Sequence, residues 1–165
     1  MIEIPLTRGY VALVDDEDAG LSGLKWSADV SRGTVYAIRR SYTADGRVTT
    51  ERLHRVVVHA KSGDHVDHVN GNGLDNRRSN LRVATYRQNA ENQGRRKGNT
   101  SGFKGVSRDA RNPNMPWVAR LRSGNGRRIH VGSYASPEDA ARAYDRAAAI
   151  HHGPFARLNF PVVQP

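Results

Sequence analysis

The sequence predicts an α+β chain in two parts: a strand–strand–helix core preceded by N-terminal strands, then a three-stranded antiparallel sheet packed on one helix. Three observations predict it. Residues 65–93 read in the order strand, loop, strand, helix. The segments Trp117–Arg122 and Arg128–Val131 alternate with the period of two that a half-buried strand requires. The charge is also uneven: residues 1–93 carry 13 Lys+Arg against 12 Asp+Glu, whereas residues 94–165 carry 13 against 4.

The first fifty residues read as short strands broken by turns. Tyr10–Val14 is one, ended by the acidic run Asp15–Asp18, and Val35–Ile38 is another, with Ala44-Asp45-Gly46 turning the chain before Val48. In LHRVVVHA, Leu53, Val56, Val57 and Ala60 fall at i, i+3, i+4 and i+7, the spacing of a short helix, although the valines also suit a strand. A strand over residues 65–69 leads into a turn-rich loop, 70–79, and a second strand, Leu81–Ala84. Thr85 and Gln88 form a T-x-x-Q capping box that places a helix over Tyr86–Gln93. Residues 94–101, with two glycines, three positive charges and no apolar anchor up to Asn99, read as a basic linker.

Beyond it, Trp117, Ala119 and Leu121 face one side of a strand, and Arg120 and Arg122 the other. Ser136, Pro137 and Asp139 open a helix as cap, first residue and box partner, and Gly153-Pro154 stops it. Ala140, Tyr144, Ala147 and His151 form its apolar stripe. A sheet backed by this helix leaves its arginines on the open face.

Composition narrows the function. With 165 residues, 37% of them hydrophobic, the chain holds one ordinary domain or two small ones. A net charge of +10, nearly all of it in the C-terminal part, is an electrostatic footprint for nucleic acid. The basic residues do not lie along an amphipathic helix and no apolar run could span a bilayer, so a membrane partner is not expected. The N-terminus lacks a signal-peptide pattern and cysteine is absent, so the expectation is a cytoplasmic protein without disulfides; the partner expected is nucleic acid rather than a small-molecule substrate.

The chemistry-bearing stretch is VDHVNGNGLDNRRSNLRVATYRQNAENQ. Hydrolysing a phosphodiester needs an activated water and a cation to neutralise the phosphate and leaving oxygen. A histidine near its ordinary pKa suits the first task, and Asp and Asn oxygens suit magnesium. Taken singly, Asp67 would more often be a turn or capping residue, and Asn89 a solvated helix residue. Their occurrence together with His68 and Asn80, in order and on these elements, reverses that weighting.

V-D-H-V-N-G, L-D-N-R-R-S-N-L-R and the N-x-x-N-Q helix resemble the HNH endonuclease family, particularly the phage and intron-encoded homing type, over residues 53–93. The resemblance implies a ββα-metal core. It implies His68 as general base, Asp67 and Asn89 as ligands of Mg2+ or Mn2+, and Asn80 as the residue tying the loop together. Asn89 stands where many HNH proteins carry a second His, the H-N-N variant. His54 and His59 read as packing or phosphate-contact residues, and His65 as a spare participant.

Residues 102–161 resemble the APETALA-two/ethylene-response-factor (ERF) DNA-binding domain through F-K-G-V, W-V-A-R-L-R, H-V-G-S-Y, S-P-E-D-A-A-R-A-Y-D-R-A-A and A-R-L-N-F-P. The resemblance implies a sheet entering the major groove of double-stranded DNA. The contacts expected are Lys104, Arg108, Arg120, Arg122, Arg128 and His130. Ser107, Asp109 and Arg120 depart from the plant pattern, so base preference does not carry over.

The organisation expected is thus an N-terminal and nuclease domain over 1–93, a linker over 94–101 and a DNA-reading domain over 102–161. The function expected is a site-specific HNH homing-type endonuclease acting inside the host cell of a phage or mobile element. The alternative is a DNA-binding regulator with an inactive nuclease fold; Asp67, His68 and Asn89 are all kept, which argues against it. An RNA-binding module would want exposed aromatics, and the aromatic content is 7%. Oligomeric state is not legible.

Overall fold

The computed structural model describes residues 1–31 and 33–160. The chain divides into two compact units, Met1–Thr85 and Tyr86–Pro165.

The first unit opens with an antiparallel pair, β1 (Ile2–Pro5) and β2 (Val11–Val14), in which alternation sends Ile4, Ala12 and Val14 inward. The turn between them carries Arg8 and Gly9 at φ 63° and 74°. An antiparallel meander follows, β3 (Ser27–Ser31), β4 (Thr34–Tyr42) and β5 (Val48–Arg52). β4 continues well past the expected Val35–Ile38, because Arg39–Tyr42 pair with Val48–Glu51 through the Thr43–Arg47 turn. The helix α1 (Leu53–Val57) is shorter than its spacing suggests: Ala60 lies outside it, and His59 takes a positive φ of 50°. Arg55 closes this end by donating to the carbonyls of Lys61 and Asp64. β6 (His65–His68) and β7 (Leu81–Ala84) then pair antiparallel. Ile4, Ala12, Val14, Trp26, Ala37, Leu53, Val57 and Leu81 form one core.

The loop from β6 to β7 is locked onto β2. Leu13 donates its N–H to the Leu74 carbonyl and accepts from the Asn76 N–H, both at 2.8 Å. Gly73 is buried against β4, where a Cβ would lie 2.4 Å from the Val35 carbonyl oxygen and 2.8 Å from the Tyr36 ring.

The second unit begins with α2 (Tyr86–Asn92), so the first unit closes before this helix, ahead of the position 93 read from sequence. The reason is its partners: the Lys104 ammonium donates to the Glu91 carbonyl, and the Glu91 carboxylate lies 4.0 Å from His152 Nε2. The end of the expected linker is also anchored, since the Asn99 amide and Ser101 hydroxyl donate to the carbonyls of Phe103 and Val106. The antiparallel sheet has the order β10 (Arg128–Tyr134), β9 (Trp117–Arg122), β8 (Val106–Arg108). Helix α3 (Pro137–His152) backs it and starts as expected, the Ser136 hydroxyl accepting the Asp139 N–H. Its buried stripe runs Ala140, Tyr144, Ala148, His152, whereas Ala147 is half-buried and His151 is exposed; steps of four follow the face that meets the sheet.

Gly73→Ala is expected to destabilise the first unit by about 1–3 kcal/mol, the usual penalty for overpacking a closed site. Urea unfolding of the full chain checks it; an unchanged first transition would refute the close approach of loop and β4.

Candidate active site

β6 ends in Asp67 and His68, both buried. Neighbours on a strand point to opposite faces, so the two side chains enter different surroundings. Asp67 stands opposite Arg82 on β7, whose Nε and Nη2 both donate to Asp67 Oδ2, at 2.9 and 2.6 Å. His68 meets Asn76, with Nε2 3.3 Å from Oδ1. The Asn76 amide nitrogen donates to the Leu74 carbonyl at 3.0 Å, so its oxygen faces the imidazole. An acceptor there requires His68 to carry its proton on Nε2, which makes Nδ1 the basic nitrogen.

Two further rings enclose His68: His54 at 5.0 Å, edge-on, and Tyr36 at 5.9 Å. Burial draws the His68 pKa below the ordinary value, against the opposing pull of the Asn76 hydrogen bond and the carboxylates of Asp67 and Asp75. Burial brings His54 down to about 3, and the neighbouring His68 adds to the effect. His54 Nδ1 is buried without a hydrogen bond among the described residues. His59 and His65 are exposed, and His59 is off the helix expected to carry it.

Asn80 ties the loop. Its Oδ1 accepts the Asn70 N–H at 3.0 Å, and its amide donates to the Asp75 carbonyl at 2.7 Å and to Asn70 Oδ1 at 3.0 Å. Asp75, a residue sequence reasoning missed, accepts Arg77 Nε and Nη2 at 2.7 Å each and the Asn70 amide at 2.9 Å. The Arg77 hydrogen bond holds the Asp75 carboxyl below the usual carboxylate range. Asp67, His68 and Asn80 thus share the first unit, whereas Asn89 lies half-buried on α2 of the second. A separate carboxylate group, Asp15, Glu17 and Asp18, surrounds Arg78, which donates its N–H to Asp15 and its guanidinium to Glu17 and Asp18.

In the second unit Arg120 pairs across strands with His130, and Arg122 with Arg128, which sets these four on one face. Arg108 is different. Its partner is Trp117, which puts it on the face of Val106 and Ala119, while Ser107 holds the open face and accepts Arg120 Nη1 at 3.2 Å. Lys104 is half-buried before β8 and bonded to the Glu91 carbonyl, and burial lowers its pKa to about 8. Beside the sheet lies a cavity of about 520 Å³ whose lining includes Arg87, Arg96, Arg122, Arg128, Glu91 and His152.

Residues 51–91 match the family model described as HNH endonuclease. The chain is 56% identical over 50 residues to the ethylene-responsive transcription factor ERF010 of Arabidopsis thaliana, covering 30% of this chain and 27% of that protein. It is 44% identical over 54 residues to the dehydration-responsive element-binding protein 2E of Arabidopsis thaliana, covering 27% and 22%. With the dehydration-responsive element-binding protein 2A of Oryza sativa subsp. japonica it shares 51% over 45 residues, covering 27% and 16%. The chain therefore spans about a quarter or less of these relatives. An HNH match and an ERF-type similarity are combined in one polypeptide.

The depressed His54 pKa has a sign that can be checked. Between its folded value near 3 and the ordinary 6.5, the unfolded chain binds a proton that the folded chain does not, so stability is full above pH 6.5 and falls as pH is lowered toward 3. Urea midpoints measured from pH 7 to 4 are expected to fall, and His54→Phe is expected to flatten that fall. An equal slope in the variant would refute a buried neutral imidazole.

Proposed function

We propose that the chain is a site-specific, homing-type endonuclease that hydrolyses phosphodiester bonds of double-stranded DNA by general-base catalysis, with His68 as the base. The carrying observation is the Asn76–His68 hydrogen bond, which presents Nδ1 as the basic nitrogen of a buried imidazole inside the segment that matches HNH endonucleases. A lowered pKa keeps that imidazole neutral at pH 7, able to take a proton from water. Asn76 holds the Nε2 proton in place while this happens. Arg82 orients the Asp67 carboxylate from the neighbouring strand.

Asp67 is proposed to hold a divalent cation, and Asn89 keeps the metal-ligand role that the HNH resemblance implies for it. An all-oxygen donor pair without cysteine fits Mg2+ or Mn2+ rather than a thiophilic ion. Such a cation, when bound, supplies neutralising charge at the phosphate and leaving oxygen. The open face of β9 and β10, with Arg120, Arg122, Arg128 and His130, is proposed as the DNA-reading surface, and the setting as the host cell of a phage or mobile element.

His68→Ala is expected to slow plasmid nicking by about 100- to 10,000-fold while DNA affinity stays near that of the parent. A parental nicking rate would remove His68 from the mechanism. Asp67→Ala and Asn89→Ala are each expected to raise the magnesium concentration for half-maximal cleavage, and EDTA to stop the parent reversibly; full activity in EDTA would overturn metal dependence. Converting Arg120, Arg122 and Arg128 together to Ala is expected to flatten the log K against log salt slope by about 0.9 for each arginine that meets phosphate. A parental slope and affinity would place the reading surface elsewhere.

A further inference from the structure

The N-terminal meander holds none of the residues proposed for catalysis or metal binding, yet one of its faces starts at His68. Tyr36, Ile38, Arg40 and Tyr42 alternate on one side of β4, and the register adds Arg52 opposite Ile38, Thr50 opposite Arg40 and Val48 opposite Tyr42. Tyr36 packs against His68, so this face leads out from the active site, and at ~3.3 Å per residue Tyr42 lies ~20 Å along the strand. β3 pairs only with Thr34–Ile38, so Arg39–Tyr42 and Val48–Glu51 run on as a two-stranded ribbon.

The ribbon presents Tyr42 and Val48, 77% and 57% exposed, with Arg40, Thr50 and Arg52 also exposed. Its charges are sorted by face. Glu51 is held by Arg39 on the reverse side, and Asp45 by Arg47 in the turn. Arg40 and Arg52 make no ion pair among the described residues. Asp29, opposite Tyr36 at the catalytic end, is the one carboxylate on this face among the described residues of β3, β4 and β5. A near-neutral first unit thus conceals a locally cationic strip.

Resting on the nuclease reading, we propose that the β4–β5 ribbon is a second DNA-contact surface, lying in the major groove beside the phosphate presented to His68. The major groove, ~12 Å wide, admits a two-stranded ribbon, and the minor groove, ~6 Å, does not. Arg40 and Arg52 meet backbone phosphates, and Tyr42 and Val48 lie against base edges. A single exposed aromatic ring provides no stacking platform for an unpaired strand, so the partner is duplex DNA.

The test uses the full chain and a fluorescent 30-base-pair random-sequence duplex, with the same strand unpaired as a second probe. Arg40→Ala/Arg52→Ala is expected to flatten the duplex salt slope by about 1.8, which is roughly a tenfold smaller affinity change between 50 and 200 mM salt. Thr50→Lys, an exposed neighbour of Arg40, is expected to steepen the slope by about 0.9, a gain that misfolding cannot imitate. Because the chain lacks cysteine, Tyr42→Cys carrying a photo-crosslinker reports contact at one position, and it is expected to label the duplex. Unchanged slopes in both charge variants, or labelling confined to the single strand, would overturn the proposal. Plasmid nicking is scored in parallel: a parent that binds but never cuts defeats the nuclease reading, while these slopes still decide the ribbon.

Discussion

Two backbone hydrogen bonds at Leu13 organise the candidate active site. They join β2, near the start of the chain, to residues 74 and 76 of the loop between β6 and β7. The loop is rich in Asn and Asp, residues that favour local side-chain bonds over regular structure and would otherwise have many arrangements. Fixing the Leu74 carbonyl and the Asn76 amide selects one of them: Leu74 orients the Asn76 side chain, Asn76 orients His68, and Asn80 and Asp75 fasten the remainder. The geometry of a histidine on β6 thus depends on a hairpin more than fifty residues away.

The residues of the candidate site stand out in the sequence because the motif that holds them is local. His68, Asp67, Asn80 and the strand, loop, strand, helix order all follow from a single segment, and the capping of α3 follows from Ser136, Pro137 and Asp139 alone. What escaped depends on pairing between distant segments. The Asp67–Arg82 ion pair follows from the β6–β7 register, which also joins Val66 to Val83. The role of Asn76 needs β2, and nothing in D-N-R-R distinguishes it beforehand.

The basic residues of the second unit show the same limit. Arg120, Arg122, Arg128 and His130 were grouped correctly because alternation within a strand settles their common side. Arg108 and Lys104 fall outside that group, since their sides depend on how β8 meets β9 and on where α2 contributes a carbonyl. His151 and His152 differ by one position, or 100° around α3, and only the seating of the helix on the sheet decides which is buried; His152 Nε2 meets the Arg122 carbonyl at 2.6 Å.

The buried Asp145 of α3 sets where the sheet-and-helix unit is structurally complete. Its carboxylate accepts the backbone N–H groups of Asn159 and Phe160 and the Asn159 side chain, while Asn159 in turn clasps both the N–H and the carbonyl of Lys104. The two ends of the sheet-and-helix unit are stitched to one another through a single acidic residue. A copy trimmed after α3 would leave that carboxylate interred without its donors, a defect worth several kcal/mol against folding. The sheet-and-helix unit is therefore complete only when the segment through Phe160 is kept with it.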